Sequence, residues 1–344
     1  MSLKFYAYLI ILNILFQSTL YSQSPKVEIL TSGINTSIRG LSVVTDNIIW
    51  VSGNNGTVGK SSNGGKTWKW LSVKGFEKRD FRDIEAFDAN TAIIMCVAEP
   101  AYILKTADGG ETWKVVFENK SKGMFLDAMD FVGNDYGIIV GDPIDKKIFI
   151  AETYNGGNTW VELAPDNKRP VADSGEAFFA ASGSNIRLCI DKRYYMVSGG
   201  RKSRLINNTE SRSLPIIQGQ EATGANSIDI YDNGNGKGSN LFVVVGGDFN
   251  NDSSSIKNCF VSTDGGTSWK APKISPHGYR SSVEFLSKKD ILACGLNGVD
   301  YSPNSGKTWQ WISKDGFHVC KIAKTGTSIF LAGSNGKIGK IVWK

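Results

Sequence analysis

Three arginines and four carboxylates are the residues of this chain whose type and spacing could do chemistry. Arg39, Arg82 and Arg280 each stand five positions before an apolar residue (Val44, Phe87 and Phe285) in segments of alternating polarity. Guanidiniums at matched places can converge on one carboxylate or phosphate and grip it bidentately. The same count back from Phe131, Ala181 and Ala323 gives Leu126, Glu176 and His318. A second set follows a small residue at a later turn: Asn54, Glu99, Asp142, Arg201, Asp248, Leu296 and Ser334. Glu99, Asp142, Glu176 and Asp248 offer the alternative chemistry, acid/base work on a glycosidic bond. That reaction needs two carboxyl groups roughly 5 to 9.5 Å apart.

Other sites lack the residues they need. Asp248-Phe249-Asn250-Asn251-Asp252-Ser253 has neither a glycine at the sixth place nor an acid at the twelfth, so no calcium loop is expected. Gly234-Asn235-Gly236-Lys237-Gly238 precedes no helix that could receive a phosphate. His277 and His318 are the two histidines, too few for a zinc site with this cysteine spacing. No metal and no cofactor is expected, and no dinucleotide fingerprint occurs.

The elements that must position these groups recur. An eight-residue phrase returns five times, ending at Trp68, Trp113, Trp160, Trp269 and Trp309, at spacings of 45, 47, 109 and 40 residues. The first copy reads Ser61-Ser62-Asn63-Gly64-Gly65-Lys66-Thr67-Trp68. A recurrence of this length marks a repeat architecture. Within one unit, Ile38 to Val44, Ile48 to Gly53, Thr57 to Ser62 and Thr67 to Val73 read as strands separated by turns such as Asn54-Asn55-Gly56. Four antiparallel strands in such a unit make a propeller blade. Other units run Phe81 to Phe117, Phe125 to Leu163, Arg280 to Ile312 and Phe317 to Trp343. The long gap holds two more. One opens at Gly175 to Phe179 and has lost its phrase near Ile206 to Arg212. The next runs from about Ser213 to Ala271, with insertions at Asn233 to Ser239 and Phe249 to Ser255. The expected fold is therefore all-β, a seven-bladed propeller. The last unit is one strand short, and Lys26 to Leu30 is expected to close it.

The 344 residues carry a formal charge of +6, with both signs interleaved and no basic block, so nucleic acid is not an expected partner. Lys4, the apolar run Tyr8 to Phe16 and a small-residue exit at Ser22 read as a signal peptide over residues 1–22. Residues 23–344 form the single propeller domain, with no later membrane span. The expected location is exported: periplasmic, cell-envelope or extracellular. Cys96, Cys189, Cys259, Cys294 and Cys320 sit in apolar strand patterns and read as small buried hydrophobes. One disulfide stays open in an exported chain.

The repeated phrase resembles the Asp-box motif of sialidase-type and related propellers, which implies a hairpin between third and fourth strands. Asn stands for Asp at 63, 155 and 304, which keeps a turn acceptor and argues for a structural role. A sialidase would need a tyrosine nucleophile, for which Tyr279 beside Arg280 is a candidate. The matching opening reads Ser37-Ile38-Arg39-Gly40, however, and lacks that family's pattern. Phe81-Arg82-Asp83-Ile84, Gly141-Asp142-Pro143 and Gly246-Gly247-Asp248 together resemble the photosystem II stability and assembly factor-like propellers. That resemblance implies an exported seven-bladed protein that binds an assembly intermediate without catalysis. The expected function is a monomeric binding or assembly scaffold. Its partner, a protein or an anionic glycan, would meet Arg39, Arg82 and Arg280 at the channel mouth. The alternative is a glycan-active hydrolase.

Overall fold

The computed structural model describes residues 24–163, 171–232 and 239–344. The expected signal peptide lies outside the described residues, as does most of the insertion at Asn233 to Ser239.

Alternating and apolar runs become short strands, and the strands become seven antiparallel sheets in a ring. Blade 1 is a meander of Ile38–Val43, Ile49–Gly53, Thr57–Ser61 and Lys69–Ser72. Its register sets Leu41 against Val51, Val51 against Gly59 and Gly59 against Trp70. The second strands Ile49–Gly53, Ala92–Cys96 and Ile291–Gly295 are buried along their whole length. Each such strand is covered on both faces by neighbouring blades, which is why it reads as a continuous apolar run rather than an alternation.

One apolar cluster fills each seam between neighbouring blades, seven in all among the described residues. Trp50, from blade 1, is fully buried against blade 2 and donates its Nε1 proton to the Asp88 carbonyl at 3.0 Å. Blade 7 supplies Val319–Ile322, Ile329–Ala332 and Ile338–Trp343. Its outer strand is Pro25–Thr31, with Val27 opposite Ile341. The chain start thus closes the ring, as the short last unit requires.

The repeated phrase forms one turn five times over. The Ser or Thr hydroxyl at its first place accepts the amide of the fifth residue, as from Gly65 to Ser61 at 2.9 Å and from Gly266 to Ser262 at 2.8 Å. The third residue accepts the amide of the seventh, whether it is Asn63 (2.9 Å) or Asp108 (3.0 Å). Both side chains present the same acceptor, so Asn can replace Asp. These turns lie at the ring face that also carries the turn between first and second strands: Gly64 donates to the Asn47 carbonyl at 3.1 Å.

Blades 4 and 5 depart from the expected boundaries. The inner strand of blade 4 is Ile186–Leu188, not the Gly175 to Phe179 segment, and Ser211–Ser213 is that blade's outer strand. Blade 5 begins at Thr223–Ile230. Glu176–Ala177 instead pairs with Gly199–Gly200 in the upper part of the blade 5 sheet. The peptide that follows leaves the sheets and enters the ring. The Phe178 amide donates to Asp142 of blade 3 at 2.8 Å. Ala181 receives Arg39 of blade 1 at 3.3 Å, and Ser182 donates to the Ser281 carbonyl of blade 6 at 2.7 Å. Gly183 lies so close to Asp83 of blade 2 that a Cβ would overlap its carboxyl group. A segment from blade 4 that touches blades 1, 2, 3 and 6 stands in the axial channel and plugs it.

Candidate functional site

The inner strands of blades 1, 2, 3 and 5 share a β-bulge near their start. Pairing skips one residue between Ile38 and Gly40, Phe81 and Asp83, Leu126 and Ala128, and Ala225 and Ser227. The skipped residues are Arg39, Arg82, Asp127 and Asn226. A bulge leaves its extra residue outside the ladder and re-aims the side chain. Here it turns each toward the axis, on the face opposite the repeated turns.

Blades 6 and 7 place Ser281 and His318 at the same level. The amides of Arg280 and Phe317 donate to Gly246 and Gly295 of the preceding blade, as those of Ile38 and Leu126 donate to Gly333 and Val97. Arg280 therefore occupies the core position that Ile38, Leu126 and Phe317 occupy elsewhere, and Ser281 faces the axis. Two sequence expectations are corrected by one residue here. Val44, Phe87, Leu286 and Ala323 are the residues whose amides bond across the first turn. Counting five back from Leu286 gives Ser281, and counting five back from Val132 gives Asp127 rather than Leu126. Phe285-Leu286 and Phe131-Val132 are adjacent apolar pairs, and alternation alone does not choose between their members.

Arg280 is fully buried. Its Nε donates to Asp300 at 2.7 Å, and Nη1 to the Tyr279 carbonyl at 2.7 Å and Asn297 at 2.6 Å. It braces a loop and does not line the cavity.

A cavity of about 430 Å³ opens at this mouth, lined by Arg39, Arg82, Asp142, Asn226, Ser281 and His318 among the polar groups. Phe125, Phe179, Phe249, Tyr279 and Leu296 form its apolar wall, and the plug from Ala177 to Ala181 is its floor. Phe179 meets Phe249 edge-on at 5.9 Å. Phe249 and Leu296 are 42% and 44% exposed, so the rim displays apolar surface to any partner.

Arg39 spends one hydrogen bond, on the Ala181 carbonyl, and Arg82 donates its Nε proton to Asp80 at 2.7 Å. The Arg82 guanidinium also lies 5.6 Å from the centre of the Phe125 ring. Burial, and Arg82 beside it, lower the pKa of Arg39. Two guanidiniums, each with donors to spare, thus face one half-enclosed space. Asp142 is half-buried, and burial raises its carboxyl pKa against the opposing effect of the Phe178 amide. Asp127 lies fully buried behind it, raised well above the usual range by burial and by Asp142.

The four carboxylates proposed for hydrolysis are not gathered. Asp142 lines the cavity. Glu176 is buried in a two-pronged pair with Arg204, at 2.8 Å to Nε and 2.5 Å to Nη2. Glu99 is exposed and accepts the Gly123 amide at 2.9 Å, and Asp248 accepts the Asn250 amide at 2.9 Å. Sequence reasoning missed Asp127, Asn226, Ser281, Phe249 and the plug. The bulge that presents the first two has no side-chain signature.

At the opposite mouth the charges are spent on one another. Arg187 bridges Asp229 at 2.7 Å and Glu284 at 2.6 Å, and Lys321 lies 3.6 Å from Glu284. Among the described residues, no cluster of metal-ligating side chains occurs, and no helix is long and apolar enough to cross a membrane.

No protein-family model and no curated protein matches the chain. Solved structures do. YCF48 from Cyanidioschyzon merolae superposes with a TM-score of 0.67 at 16% identity, covering 92% of this chain and 98% of that one. A structure of YCF48 bound to a D1 peptide gives 0.64 at 17% identity, over 94% and 99%. Virginiamycin B lyase from Staphylococcus aureus gives 0.62 at 12% identity, over 93% and 99%. At such identities the likeness concerns the fold, and this fold hosts both a peptide-bound protein and a lyase.

Proposed function

We propose that this chain is an exported protein-binding scaffold. Its cavity takes a partner segment that sets an anionic group beside an apolar side chain. The observation that carries the reading is the pair Arg39 and Arg82, whose unspent donors face a space walled by aromatic rings and rimmed by Phe249 and Leu296. Two half-buried like charges repel, and an anion between them relieves that repulsion while filling their donors. The peptide held by YCF48, a protein of the same fold, supports a protein partner over a glycan. The leader-like first 22 residues support export.

The test is an array of immobilised 15-residue peptides probed with the wild-type chain and with the Arg39→Ala/Arg82→Ala variant. We expect bound peptides to be enriched in Asp or Glu next to aromatic or aliphatic residues. Removing two charge-assisted contacts at about 1.5–3 kcal/mol each should weaken them at least a hundredfold. The melting temperature should not change. Equal binding by the variant would overturn the proposal. Preference for an anionic-glycan array over the peptides would replace the protein partner.

A further inference from the structure

Each of the seven seams between blades holds one apolar core, and the seam between blades 6 and 7 holds two cysteines. Cys96 belongs to the core between blades 1 and 2, and Cys259 to that between blades 5 and 6. Cys189 lies half-buried against the core between blades 4 and 5. Cys294 and Cys320 share the remaining one, and both are fully buried. Cys294 comes from Ile291–Gly295 of blade 6 and Cys320 from Val319–Ile322 of blade 7. Ser282 stands between the two strands. It pairs with Cys294 in the ladder, and its Oγ receives the Cys320 amide at 3.3 Å and lies 3.7 Å from the Cys320 sulfur. The Cys320 sulfur also lies 3.9 Å from the Leu292 carbonyl, two residues before Cys294, so both thiols sit in one stretch of the seam.

We propose that Cys294 and Cys320 form a disulfide that fastens blade 6 to blade 7 when the chain folds in an oxidising compartment. The compartment rests on the export reading; the pairing rests on the seam. One cysteine thiolate attacks a low-molecular-weight or protein disulfide, forming a mixed disulfide and releasing one thiol. The second cysteine thiolate then attacks the mixed disulfide and releases the other thiol. Each cysteine sulfur is oxidised by one electron, the donor disulfide is reduced to two thiols, and the two cysteine protons pass to them. Burial pushes the Cys294 thiol well up, which disfavours thiolate once the seam has closed. Exchange therefore belongs to folding, before the blades meet. The bond would fix the blade that closes the ring. His318, which faces the cavity, is two residues from Cys320.

The experiment refolds the purified, reduced chain in a buffer of glutathione and glutathione disulfide. The product is then alkylated under denaturing conditions and its peptides are mapped by mass. The expected result is a Cys294–Cys320 linked peptide, with Cys96, Cys189 and Cys259 alkylated. Reductant should lower the melting temperature by roughly 5 °C. It should not shift a Cys294→Ala/Cys320→Ala variant. Five alkylated cysteines in folded protein, or a link through any other cysteine, would overturn the pairing. Should the variant fail to fold, the wild-type thiol count still decides. Edman sequencing of the chain from its native compartment tests export separately, so the two readings can fail independently.

Discussion

His318 is held by two hydrogen bonds of opposite sense, which fix its tautomer. Its Nδ1 lies 3.0 Å from the Ile38 carbonyl, which can only accept, so Nδ1 carries the proton. Its Nε2 is left to accept from Ser334 Oγ at 3.2 Å. Burial, then the charges of Arg39 and Arg82, push the imidazole down to about 4. Between that value and an unfolded value near 6.5, the unfolded chain binds a proton that the folded chain refuses. Stability from this group is therefore complete above about pH 6.5 and is lost as pH falls toward 4. The loss between pH 7 and 4.5 is about 2–3 kcal/mol. In urea titrations, His318→Gln should remove that share of the acid dependence while keeping a donor for Ile38. A variant with the wild-type slope would show that His318 titrates normally. The arginines acting on His318 were legible in sequence because in blades 1 and 2 the anchor counted from is the second of its apolar pair, Val44 after Val43 and Phe87 after Ala86, the member whose amide bonds across the first turn. Ser281 and Asp127 were not, because an adjacent apolar pair leaves the register open by one. A slip of one residue sends every side chain to the other face, which is how Arg280 came to be read as a ligand group while it sits in a core.

The plug is an element that the repeat pattern concealed. Ala177-Phe178-Phe179-Ala180-Ala181 is apolar, follows a turn and falls near blade spacing, so it reads as an inner strand. The true inner strand, Ile186–Leu188, is three residues long and carries little alternation. The evidence for the plug is tertiary, since its partners sit on four other blades, and no local pattern encodes them. Gly183 is its tightest point. It has φ +64, in the left-handed region, and no room for a Cβ against Asp83. Gly183→Ala would combine backbone strain with a clash at a buried carboxyl group, a cost of about 2–4 kcal/mol. Hydrogen exchange should then rise in residues 177–185, with the blade cores unchanged. Unchanged protection there would mean that the segment is not seated in the channel. A seated plug also makes the cavity blind, so a partner must enter and leave by the Arg39 mouth.

The ring as a whole was legible because it rests on repetition. Five copies of one turn, the spacing of their tryptophans and a last unit one strand short together required seven blades and a borrowed strand. Closure is where the molecule is most exposed to failure. Without Pro25–Thr31, the edge of Ile338–Trp343 loses its ladder partner, with Lys26, Val27 and Glu28 no longer opposite Val342, Ile341 and Lys340. Each lost backbone hydrogen bond costs about 1 kcal/mol, so the strand contributes on the order of 5 kcal/mol before its apolar contacts are counted. Leu30 and Val27 also pack on the two cores that flank blade 7. An unpaired edge is a template for another chain. Deleting residues 24–31 should therefore lower the melting temperature by roughly 10 °C or more and drive concentration-dependent association in sedimentation. A synthetic peptide of those residues, added in trans, should reverse both effects by refilling the edge. If the truncated chain melted where the full chain does and stayed monomeric, the N-terminal strand would be an ornament on a ring that closes without it.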